Sequence, residues 1–80
     1  MNLPRDLSGK DLIKALERIG YVVSRQTGSH VRLTIEKPET HHITVPNHFP
    51  LKIGTLSTVL ADVAGHLKVS RDQLLERLFK

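Results

Sequence analysis

The segment His30-Val31-Arg32-Leu33-Thr34-Ile35-Glu36 alternates polar and apolar residues without a break. Successive side chains of a strand point to opposite faces, so Val31, Leu33 and Ile35 share one face and His30, Arg32, Thr34 and Glu36 the other. Such a strand fits an antiparallel sheet with one face packed on a core and one face open to water. Tyr21 to Thr27 reads as its partner across a turn at Gly28-Ser29. Two registers compete. A two-residue turn sets Gln26 and Ser24 opposite Val31 and Leu33. A three-residue Thr27-Gly28-Ser29 loop sets Arg25, Val23 and Tyr21 opposite Val31, Leu33 and Ile35. The longer loop buries more apolar surface and places only Arg25 at the sheet end, so it is the expected register. His30, Arg32 and Thr34 then share the open face with Gln26, Ser24 and Val22.

The rest of the chain supplies a third strand and the helices that cover the sheet. Lys37-Pro38-Glu39-Thr40 reads as a turn. His42 to Val45 reads as a strand ended by Pro46, with Ile43 opposite Ile35 and Val45 opposite Leu33. Ser8 to Gly20 has the spacing of an amphipathic helix: Leu12, Ile13, Leu16 and Ile19 fall on one face, and Ser8 with Asp11 makes a capping box. Gly54-Thr55 opens a second helix carrying Leu56, Val59, Leu60 and Val63, with Gly65 after it. Ser70 and Gln73 make another capping box ahead of Leu74, Leu75 and Leu78. The expected order is α-β-β-β-α-α, an α+β fold in one domain over 1–80.

Composition narrows the function. Eighty residues suit a single domain with one modest core. Twelve Lys and Arg against eight Asp and Glu leave a formal charge of +4, which favours a polyanionic partner, nucleic acid first. The chain has no cysteine. That excludes a disulfide framework, zinc-finger spacing, thiol catalysis and Fe–S ligation. Tyr21, Phe49 and Phe79 are the only aromatics, too few for a base-stacking platform. The first ten residues contain no apolar leader, and no apolar run approaches the ~20 residues of a membrane helix. A cytoplasmic address is expected.

The candidate chemistry gathers at the Gly28-Ser29 turn. His30 follows it on the open face, and imidazole titrates near neutrality, as acid–base work requires. The turn amides of Gly28 and Ser29 suit a phosphate oxygen, and Arg32 points the same way as His30. On these grounds alone, a surface histidine beside an ordinary turn is the plainer reading. The antiparallel return of strand three brings Asn47-His48 back to the His30 end, where two imidazoles near one phosphodiester could divide base and acid roles. His41 and His42 lie at the other end, ~20 Å from His30 by strand rise. With His48 they match no zinc spacing, and no pair of carboxylates converges among Asp6, Asp11, Glu17, Glu39, Asp62, Asp72 and Glu76. Neither a metal nor a cofactor is expected. The run from Leu60 to Leu74 has a helix-turn-helix flavour, with Arg71, Gln73 and Arg77 as base-contacting candidates, so a DNA-binding protein is an alternative.

Gln26-Thr27-Gly28-Ser29-His30, the alternating strand, Thr44-Val45-Pro46-Asn47-His48, Leu51, Gly54-Thr55-Leu56 and Ala64-Gly65 occur in that order. Together they resemble the HicA toxins of prokaryotic HicA–HicB toxin–antitoxin pairs, over about Ser8 to Leu78. The resemblance implies a fold like the double-stranded-RNA-binding domain, and a metal-independent mRNA endonuclease neutralised by a HicB-type antitoxin. It implies that His30 is catalytic and Gly28 a motif glycine, and it matches His48 to a family position. Arg32, Lys52 and the Gly28-Ser29 amides would then stabilise charge on the RNA phosphate. Val31 departs from the second His or Arg that many members carry there, which moves the positive charge to Arg32. A non-catalytic RNA-binding module and an inactive interaction protein are the other classes to weigh.

Overall fold

The computed structural model describes residues 3, 4 and 6–80. Met1, Asn2 and Arg5, part of the stretch read as lacking a leader, lie outside the described residues. The chain runs α1 (Gly9–Arg18), β1 (Val22–Thr27), β2 (His30–Ile35), β3 (His41–Pro46), α2 (Ile53–Leu67) and α3 (Arg71–Phe79). The strands form one antiparallel sheet in the order β1-β2-β3. This is the expected α+β order. No described helix is long and apolar enough to cross a membrane.

Both capping boxes form. The Ser8 hydroxyl accepts from Asp11 N–H at 2.9 Å, and Asp11 accepts from Ser8 N–H at 3.4 Å. Ser70 and Gln73 repeat the exchange at 3.1 and 2.8 Å. Each box satisfies amides that a helix start otherwise leaves without partners. The second helix differs from its expected end. It runs through Gly65 to Leu67, and Lys68 takes the left-handed position at φ 58 with its N–H donating to Ala64 O. Leu67 and Val69 pack against the core, so the added residues bury apolar surface that an end at Gly65 would expose. The third helix buries Leu74, Leu75 and Leu78. It is a cover on the core, and the break before it is shorter than the sequence suggested.

Helices and sheet meet in one apolar cluster, with Leu12, Leu16, Leu33, Val45, Leu60, Val63, Leu74 and Leu78 fully buried. Val31, Leu33 and Ile35 face it from β2, and Ile43 and Val45 from β3. Among the described residues no polar or charged residue is buried.

The strand registers correct two expectations. Between β2 and β3, Leu33 pairs with Ile43 and Val31 with Val45, two residues from the expected pairing. A shift of two keeps the same faces buried. It also moves the connection to Glu36–Thr40 and shortens the distance between His42 and His30. His42 stands opposite Thr34, ~13 Å along the strand from His30. Between β1 and β2, both candidate registers occur, one in each half. Thr27 pairs with His30, Gln26 with Val31 and Arg25 with Arg32, as the two-residue turn requires. Beyond an irregularity between Val23 and Arg25, Val23 pairs with Leu33 and Val22 with Thr34, as the longer loop would have it. Ser24 is the extra residue of a β-bulge. Every β1 side chain is exposed, whereas Tyr21 just before it is 1% exposed.

The start of α1 also fixes a distant loop. Gly9 N–H donates to His48 O at 2.8 Å, and Leu51 N–H donates to Leu7 O at 2.8 Å. A Cβ on Gly9 would lie 2.7 Å from Asn47 Cα and press on the Pro46 carbonyl oxygen. These are backbone atoms and cannot rotate aside. Gly9→Ala is therefore expected to lose about 1–3 kcal/mol of stability, the range of overpacked sites. Urea unfolding of the variant checks it; an unchanged midpoint would contradict the close approach.

Candidate nucleic-acid interface

Turn geometry puts His30 where it is. Gly28 has φ 58 while Ser29 does not share a positive φ, the pattern of a two-residue hairpin turn with glycine first. Nothing lies within 4 Å of a Cβ built on Gly28, so its backbone angle alone favours glycine. Gln26 Nε2 donates to Gly28 O at 3.3 Å. His30 leaves the turn as the first residue of β2, exposed, with Thr27 and Pro46 opposite it.

His48 reaches the same turn from the other side. Asn47 N–H donates to Ser29 O at 2.6 Å, which carries the β2–β3 ladder one step past Pro46. His48 Nε2 and Ser29 Oγ are hydrogen-bonded at 3.1 Å. The expected meeting of His48 with the His30 end is therefore present, with Pro46 rather than His48 as the register partner of His30. Arg32 follows on the open face, opposite Thr44. Lys52 stands apart: it is the exposed N-cap residue of α2, and no hydrogen bond or ion pair of its side chain joins it to the turn.

One residue escaped the sequence reading. Arg25 was expected on the core face at the sheet end. The two-residue turn instead makes it the register partner of Arg32, and directly opposed residues share a face, so both guanidinium groups belong to the open side. Gln26 takes the position opposite Val31, at the edge of the core side. The signal was a matter of charge: a two-residue turn sends Gln26 rather than Arg25 toward the core side.

The far end of the sheet uses its histidines differently. Thr34 Oγ1 bonds Ser24 Oγ at 2.8 Å and His42 Nδ1 at 2.7 Å, a polar rung across all three strands. It borders a groove of about 890 Å³ walled by Ile19, Val22 and Ile35, whose lining includes neither His30 nor His48. His41 lies between two partners, with Tyr21 OH on Nδ1 at 2.8 Å and Asp62 Oδ1 on Nε2 at 3.0 Å. The His66 ring stacks on it at 4.4 Å and 9°. This chain of contacts ties the approach to β1, the start of β3 and α2 together. Among the described residues no group of three His, Asp or Glu side chains gathers as a metal cluster.

Burial, and then the Asp62 carboxylate, push the Tyr21 hydroxyl up to about 12. The folded state thus holds the phenol proton more tightly than the unfolded chain, whose tyrosine titrates near ~10. That contribution to stability is complete below pH ~10 and is lost as pH rises through about 12. Tyr21→Phe is expected to lose ~0.5–1.5 kcal/mol at neutral pH with the His41 hydrogen bond, and to unfold with a flatter pH dependence above pH 10. Denaturant midpoints of both chains between pH 7 and 11.5 check it; parallel curves would refute it.

A family model described as HicA toxin of bacterial toxin-antitoxin matches residues 9–64, most of the chain. No curated protein and no solved structure matches it.

Proposed function

The chain belongs to the HicA toxin family, toxins of bacterial toxin–antitoxin systems, and on that premise we propose that it is a metal-independent endoribonuclease acting on mRNA through His30. The observation that carries this reading is the convergence of His30 and His48 on the Ser29 turn. Asn47 N–H is bound to Ser29 O, and His48 Nε2 is held by Ser29 Oγ.

RNA brings its own nucleophile. The 2′-oxygen forms a bond to the adjacent phosphorus while the bond to the 5′-oxygen breaks. One imidazole accepts the 2′ proton and an acid returns a proton to the leaving 5′-oxygen, which ends as a hydroxyl beside a cyclic phosphate. His30, exposed and next to the turn, takes one of these roles. His48, hydrogen-bonded to Ser29, takes the complementary one. Charge gathering on the phosphate oxygens meets the Gly28 and Ser29 amides and the Arg32 guanidinium. Lys52, at the head of α2, adds a more distant positive charge. An open, convex turn suits a polymer better than a small metabolite, because the strand can lie across it. The antitoxin is of HicB type, and an acidic surface on it would be steered to the carboxylate-free sheet face.

His30→Ala is expected to lower cleavage of a single-stranded RNA by at least ~10²-fold, the usual worth of a general acid or base, while the unfolding midpoint and antitoxin binding stay unchanged. His48→Ala should lower it by a smaller factor. DNA of the same sequence, lacking the 2′-hydroxyl, should remain intact. Cleavage at full rate by His30→Ala would sink the assignment. RNA binding with no fragments from the wild-type chain would make this a non-catalytic module.

A further inference from the structure

Arg25 and Arg32 are direct cross-strand partners on the open face. Like charges in that position repel, and a sheet gains nothing from them on its own. The three strands Val22–Thr27, His30–Ile35 and His41–Pro46 contain no Asp or Glu, so nothing within the sheet offsets the pair. Neither guanidinium has a hydrogen-bond or ion-pair partner among the described residues. The pairing follows from the two-residue Gly28-Ser29 turn, whose register runs unbroken from Thr27 to Arg25 and changes only at the bulge beyond it. An arrangement that is unfavourable when empty becomes favourable when an anion sits between the two forks, since each can hold oxygen atoms of one phosphate bidentately.

We propose that Arg25 and Arg32 form a clamp for a phosphodiester of single-stranded RNA, adjacent to the phosphate at His30. The proposal rests on the reading of this face as the RNA-binding side and adds Arg25 to it. Arg32 lies two residues beyond His30 on the same face, ~6.6 Å along the strand, about one nucleotide of an extended chain. The strand of RNA would therefore run along β2 from the Ser29 turn toward the Ser24–Thr34–His42 rung. The clamp sets the register of the substrate, and His30 acts on the phosphate next to it.

The test uses chains that cannot cut. Binding of a short oligouridylate to His30→Ala, and to His30→Ala carrying Arg25→Ala, is followed by fluorescence anisotropy over a series of salt concentrations. Loss of one phosphate contact should make the plot of log affinity against log salt shallower by ~0.7, with weaker binding at low salt. Arg25→Gln, tested alone, should unfold at the same denaturant midpoint as the wild type or a higher one. An unchanged slope and affinity would overturn the clamp, as would a lower midpoint, which would make Arg25 a structural residue. Weaker binding of the antitoxin with RNA binding intact would also overturn it and assign the pair to protein docking. Because His30 is absent from both chains in the binding arm, failure of the wild type to cleave RNA would refute the enzymatic reading without touching this result. No measurable RNA binding by the parent would refute both.

Discussion

One extra residue in β1 governs the rest of the sheet. Tyr21 must turn inward to fill the core and meet His41. The Gly28-Ser29 turn, if nothing intervened, would carry the two-residue register back along β1 and send Tyr21 to the solvent side. Ser24 resolves the conflict by standing outside the ladder. Its hydroxyl is still satisfied, by Arg32 O at 3.3 Å and by Thr34. The bulge therefore joins two registers. Before it Val23 stands opposite Leu33, and after it Arg25 keeps the place opposite Arg32 that the turn gives it. A bulge also twists an edge strand away from flat pairing, which protects an exposed β1 from association.

The two ends of the sheet divide the histidines by environment. At the Tyr21 end, His41, His42 and His66 are held by side chains and by each other: two hydrogen bonds fix His41, a threonine fixes His42, and His66 lies against His41. At the Ser29 end, His30 is exposed and only His48 has a side-chain partner, the Ser29 hydroxyl. Imidazoles that make the frame and imidazoles free to meet a ligand are thus separated along the strands. An apolar groove sits beside the first set, while the second stands on a turn that a long polymer can cross.

Much of this was legible in the residues. Alternation from His30 to Ile35 assigned each side chain to its face, because period two leaves no other choice. The capping boxes announced α1 and α3, and Gly28 announced its turn. What could not be read was register, because sequence patterns report faces and leave shifts of two residues open. The β2–β3 pairing slid by two without disturbing any buried position. The bulge was hidden for a similar reason: each half of β1 obeyed one simple register, and only the burial of Tyr21 against the charge of Arg25 demanded both. The end of α2 was misread because a glycine is the usual stop. Here the apolar contacts of Leu67 and Val69 outweighed it, and a lysine accepted the left-handed position.

The contact of Gly9 with the Pro46–His48 loop has a consequence in time. Strands β1, β2 and β3 pair only with their neighbours in sequence, so the sheet can close through short loops. Gly9 and His48 come from opposite halves of the chain, and contacts of that separation form late because the intervening loop must be ordered first. During synthesis, α1 emerges well before the segment it must grip. The His30 turn and the Ser29–His48 pairing belong to the sheet and can form with it, whereas the contact of Gly9 with His48 O needs the helix in place. The loop that carries His48 is thus held from two sides, by the sheet through Ser29 and by the first helix through Gly9, and the second hold ties the two halves of the chain together.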